Sequence, residues 1–149
     1  IYQYFPDKDA IFEALIRRQI DALLGTLQEY RLDRSKPLAQ TLQEILAIGV
    51  RAQPYGPDLY RVLEWVPNAV FRRNVTSALR ALQEFIREVL EVYRDEIRVA
   101  DLDKAAYVLV SCSEGLGSRA DARFFSEGLV DELTDLFSRY LLEEPDIVA

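Results

Sequence analysis

The sequence predicts an all-α fold, a multi-helix bundle of about six helices. Apolar residues recur three and four apart over long windows, the period of one helical face. Pro and Gly gather at a few corners and are otherwise sparse, six of each in 149 residues. No window carries the strict alternation of a half-buried strand.

The elements follow in order. Pro6 removes a backbone donor and biases Phe5 away from helical geometry, so one element stops near Phe5. Asp7 is a good N-cap and Asp9 adds negative charge to a first turn. A helix therefore runs from Lys8 to about Tyr30, on the stripe Ile11, Phe12, Leu15, Ile16, Gln19–Ile20, Leu23, Leu24 and Leu27, with Gly25 a tolerated interruption. Leu32 to Lys36 is a charged loop, and Pro37 suits the start of a second helix reaching about Gln53. That helix is apolar over much of its circumference and belongs near the centre of the bundle. Pro54-Tyr55-Gly56-Pro57 is punctuation, Asp58 to Val66 a short helix ended at Pro67, and Asn68 to Ile97 a long helix with an exposed Arg/Glu face. Asp101 to about Arg119 is the next helix, capped by Asp101 or Asp103. A connecting loop follows to Phe125, and Ser126 caps a last helix ending at Leu142, before a fraying tail.

Composition narrows the function. The chain is one domain long enough to bury a core, half of its residues are apolar, and its single cysteine, Cys112, excludes an internal disulfide framework. No secretory signal and no apolar run of membrane-spanning length is present, which points to a cytoplasmic protein that does not enter the membrane. The absence of Met and His points to a piece of a longer polypeptide. Residues 1–100 carry 14 basic and 14 acidic side chains, and residues 101–149 carry 4 against 11, so the net charge of −7 lies wholly in the last third. An acidic body of this kind is repelled by phosphate backbones.

The opening stretch resembles the hinge of TetR-family transcriptional regulators. The matching pattern is Tyr2, Tyr4 and Phe5, then a short turn with Lys8, then Asp9 and the apolar Ile11–Phe12. Read from the residues alone, the same stretch is a helix–turn–helix corner. Leu63-Glu64-Trp65-Val66-Pro67-Asn68 resembles the family's short middle helix and its turn. Tyr107 to Leu116 with Leu129 to Leu141 resembles its C-terminal helix pair. The resemblance implies that residues 1–6 end a DNA-reading helix and form a hinge, with the helix-turn-helix head mostly missing. Residues 7–149 would be an effector-binding and dimerisation domain. It implies a homodimer built as a four-helix bundle of the last two helices, operator DNA as partner through the upstream head, and a small hydrophobic or aromatic effector in the helical body. By motif match, Tyr2, Tyr4 and Lys8 would touch DNA phosphates.

Chemistry at individual side chains is sparse. Without His there is no imidazole base and no His metal site, no phosphate-cradling glycine motif occurs, and Cys112 reads as an inert buried thiol. The chain is therefore expected not to be an enzyme, with no cofactor and no metal. The resemblance implies a cavity, for which the candidate lining residues are Tyr60, Leu63, Glu64, Trp65, Phe71, Leu79, Phe85, Tyr107, Ser111 and Glu114. Each aromatic could equally be plain core. Glu64 or Glu114 facing the cavity would favour a cationic lipophilic ligand, and both facing solvent an apolar one. On residues 101–119, Leu102, Ala105, Leu109, Cys112, Ser113 and Leu116 form one stripe and Tyr107, Val110, Ser111 and Glu114 another. With Leu129, Leu133, Phe137 and Tyr140 of the last helix, the first stripe is the expected dimer face, unless both stripes serve one monomer core. The expected function is a ligand-responsive TetR-like repressor. An all-helical protein–protein interaction module with no small-molecule cavity is the alternative.

Overall fold

The computed structural model describes residues 7–52, 68–118 and 127–142, and within them the chain is helical with no strand. Five helices are seen: α1 (Lys8–Glu29), α2 (Leu38–Arg51), α3 (Asn68–Val92), α4 (Leu102–Ser118) and α5 (Glu127–Leu142). The expected short helix at 58–66, the loop at 119–125, the Ser126 cap and the tail lie outside the described residues. So do Tyr2, Tyr4, Phe5 and Pro6.

α1 starts as its sequence dictates. Asp7 is extended, and its carboxylate accepts the Ala10 N–H at 2.8 Å, satisfying one orphan donor of the first turn. The helix closes at Tyr30, whose N–H donates to the Leu27 carbonyl. The connecting loop is held by Asp33, which accepts the Ser35 N–H at 2.9 Å and its hydroxyl at 2.7 Å. Those two bonds, the hydroxyl first, hold the Asp33 carboxyl below the usual range. Pro37 then opens α2 as expected, its carbonyl accepting from Gln40 and Thr41.

α3 ends at Val92, five residues before the Ile97 expected from the apolar stripe. The amides of Tyr93, Arg94, Glu96 and Ile97 donate three residues back, tightening the chain into turns. The reason is the Tyr93 side chain, fully buried, whose hydroxyl lies 2.8 Å from Thr41 Oγ1, 2.9 Å from the Lys36 carbonyl and 3.2 Å from the Asp33 carbonyl. A phenol has one proton, which goes to the loop carbonyls, so Thr41 donates to the phenolic oxygen. Arg34 closes this knot from outside, stacking 4.6 Å above the Tyr93 ring and bonding Asp95 at 2.8 Å and Glu96 at 3.0 Å. Beyond the turn, the Arg98 N–H donates to the Leu141 carbonyl at 2.9 Å, satisfying one of the last acceptors of α5. Asp101, not Asp103, then caps α4 by accepting the Lys104 N–H at 3.1 Å. Asp103 instead pairs with Arg87 on α3 at 2.9 Å.

The core gathers Leu38, Leu42, Leu90, Tyr93, Ala105, Ala106 and Leu141, each almost wholly buried. α3 packs most closely on α4, and α2 on α5, while α1 lies against α3 and α2. Ala105 and Ala106 are the small residues that let α3 and α4 approach. One further knot ties α1 to α2. The Tyr30 hydroxyl donates to Glu44 at 2.7 Å, and Lys36 Nζ bonds the same carboxylate at 3.0 Å. Burial first and the Glu44 hydrogen bond second push the Tyr30 phenol up to about 12. The Tyr30 bond, then the Lys36 bond, hold the Glu44 carboxyl below its ordinary value.

Two outcomes follow from these knots. Tyr93→Phe removes the partner of Thr41 and of the Lys36 carbonyl, while the Asp33 carbonyl keeps the Lys36 N–H, and should cost about 1–3 kcal/mol in urea unfolding. Thr41→Val added to it should cost less than the sum of the two single changes, because both remove the same bond. The Tyr30–Glu44 pair sets the pH dependence at both ends. The neutral phenol is favoured in the fold, so its contribution is whole below pH 10 and is lost as pH rises from about 10 to about 12. The Glu44 contribution is whole above the unfolded carboxyl value and is lost as pH falls below it. Tyr30→Phe should flatten the alkaline limb of a stability–pH curve measured by denaturant titration.

Candidate functional site

Away from the Tyr93 knot the five helices do not fill the space between them. They leave a half-open cavity of about 260 Å³. The α1 wall supplies Ile16, Gln19, Ile20, Leu23 and Leu24, and α2 supplies Ile45, Gly49 and Val50. Val75, Ala78 and Leu79 come from α3, Ser113 and Glu114 from α4, and Leu129 and Leu133 from α5. An engineered protein cavity of about 150 Å³ lined by such side chains stays dry and accepts benzene. At about 260 Å³ the space exceeds the benzene-sized cavity and falls just below the roughly 300–1,000 Å³ of drug-sized pockets.

Among the described lining residues, three polar side chains interrupt the apolar wall. Gln19 donates its Nε2 to the Ala52 carbonyl at 3.3 Å, tying α1 to the end of α2. That bond also fixes which end of the amide is oxygen, because the reverse placement would set two acceptors face to face. Gln19 Oε1 is left buried with no hydrogen-bond partner among the described residues. An unsatisfied buried acceptor costs about 1–3 kcal/mol. Ser113 spends its proton on the Leu109 carbonyl at 2.8 Å, inside its own helix. Glu114 is half-buried in the α4 wall. At Gly49 a Cβ would meet nothing within 4 Å, so the α2 wall has room for a larger side chain.

Of the expected lining residues, Leu79 and Glu114 face this cavity. Phe85 is half-buried against the core, and Ser111 is half-buried outside the lining. Tyr107 is 60% exposed, which takes it out of any internal site. Tyr60, Leu63, Glu64, Trp65 and the Phe71 side chain lie outside the described residues. The α1 and α2 walls were missed by sequence reasoning. The available signal was Gln19, a carboxamide set within the apolar stripe of α1.

Most of the expected partner face lies within the fold of the single chain. Leu102, Ala105, Leu109, Leu133 and Phe137 are buried within the chain's own core, at 6% exposure or less. Leu129 and Tyr140 pack half-buried against that core, and Ser113 lines the cavity. Two expected members do reach the surface, Leu116 and Cys112, and Cys112 is therefore not a buried thiol. The apolar surface of the C-terminal helices is formed instead by Tyr107, Val108 and Leu116 of α4 with Leu136 of α5. Lys8, expected at DNA phosphate, is exposed at the first residue of α1.

Among the described residues no helix is long and apolar enough to cross a membrane, and no group of three metal-ligating side chains comes together. No protein-family model, curated protein or solved structure matches this chain, so the cavity's own geometry carries the functional reading.

Proposed function

We propose that this chain is the effector-binding body of a TetR-like transcriptional repressor, in which a small molecule held between the helices releases a dimer from operator DNA. The observation that carries the reading is the cavity of about 260 Å³ whose wall includes α1. α1 begins at Lys8, directly after the aromatic corner that bears the resemblance, so an occupant presses on the same helix that leads to the reading head. The mechanism is a population shift. The occupied body favours one setting of α1, α1 swings like a pendulum through the corner at Tyr4–Phe5–Pro6, and the two heads lose their one-turn half-site spacing. Lys8, Tyr2 and Tyr4 would hold phosphates in the bound state. The surface left for a second copy is that of Tyr107, Val108, Leu116 and Leu136 rather than the stripe now inside the core.

The test uses butylbenzene, a neutral probe that fits the cavity. At ten times its Kd it should stabilise the chain by about 1.4 kcal/mol, a rise of about 3–6 °C in thermal midpoint. Gly49→Phe fills the space and should cancel the rise. Gly49→Leu is the smaller alternative, and Gly49→Ala should keep the response and gain about 0.5–1 kcal/mol in helix stability. In the full-length polypeptide, on a duplex it selects from a random pool, the probe should weaken DNA binding. A Gly-Gly insertion after Phe5 should abolish that weakening while preserving the thermal shift. An interaction module would show neither response.

A further inference from the structure

We propose that the molecule this cavity takes is a lipophilic amine of about ten non-hydrogen atoms, its ammonium donating to Gln19 Oε1 and facing Glu114. The inference rests on the small-molecule reading above and adds the ligand's charge and polarity.

The size follows from the volume. If about 150 Å³ holds the six carbons of benzene, about 260 Å³ holds roughly ten heavy atoms at the same packing. The polarity follows from which hydrogen-bonding capacity the wall leaves unused. Gln19 Nε2 is occupied by Ala52 and the Ser113 proton by Leu109. What remains is acceptor capacity: Gln19 Oε1, the lone pairs of Ser113 and the Glu114 carboxylate. A ligand that completes this wall must therefore bring donors. The charge follows from Glu114. Filling the cavity removes water from beside a half-buried carboxylate, a cost that a neutral ligand leaves uncompensated and a cation offsets. No lysine or arginine is among the described lining residues, so an anion would meet only like charge and acceptors. An ammonium supplies three donors and the countercharge in one group.

Calorimetric titration with three near-isosteric probes tests this: 3-phenylpropylamine, butylbenzene and 3-phenylpropanoate. The amine should bind, and Glu114→Gln should weaken it about tenfold or more while leaving butylbenzene affinity unchanged. Gln19→Leu should weaken the amine and not the hydrocarbon. Gly49→Phe should block both, and the propanoate should not bind. Amine affinity indifferent to Glu114→Gln and Gln19→Leu would overturn the inference, as would preferred binding of the propanoate. Either result, with butylbenzene still binding, would leave the cavity's role as a small-molecule site standing. Failure of all three probes to bind would overturn that role as well. Unfolding midpoints of each variant without probe separate lost binding from lost folding.

Discussion

The Tyr93 hydroxyl is the constraint on which the arrangement depends. It is buried where no water reaches it, so its hydrogen bonds to Thr41 and to the loop carbonyls of Asp33 and Lys36 must all be met by protein. Meeting them stops α3 and ties the turn after it to the start of α2 and to the α1–α2 loop. The cation of Arg34 on the outer face of the ring and the Tyr30–Glu44–Lys36 cluster close the same end of the bundle. Other polar ties between distant segments are more scattered, among them Gln19–Ala52 at the cavity, Asn74–Glu13 and Gln43–Asp131. The bundle is thus most densely bonded at the Tyr93 pole.

That asymmetry explains how an apolar chain can leave about 260 Å³ unfilled. An empty space of this kind sacrifices dispersion contacts along its whole lining, and a sequence with freedom to choose could fill it with a few larger side chains. Gly49 has open space beside it, and Ala52 and Ala78 are two further small residues in the wall. The dense bonding at the Tyr93 pole offsets part of that loss. The same division puts the unsatisfied Gln19 oxygen in the half of the molecule where there is space for a partner to reach it.

Helical periodicity made most of the architecture legible in advance, including the Asp7 cap, the Pro37 start and the length of α1. It failed where one helix has two apolar faces. On α4, spacing set the Leu102–Ala105–Leu109 stripe against one of Tyr107, Val110, Ser111 and Glu114, and the fold divides them otherwise: Val110 is buried with the first stripe and Tyr107 is exposed. It failed also at Tyr93 and Ile97, which continue the buried stripe of α3 although the backbone has left the helix. Burial, not helicity, is what a stripe records. The cavity was legible only as a breach of pattern: Gln19 in an apolar row is unremarkable in a sequence and becomes informative once its oxygen is seen to lack a partner.

The clamp at Tyr30 has a mechanical consequence. α1 is a rod of 22 residues, about 33 Å long, held at its C-terminal end by Glu44 and touching the cavity midway at Gln19. For a stiff rod turning about a fixed end, displacement grows in proportion to distance from the pivot. Movement at Gln19 therefore reappears at Lys8 with a gain of about two, so half an ångström of wall displacement becomes about one at the far tip. Leverage of that size comes from helix length and one well-placed tyrosine, with no hinge needed inside the helix.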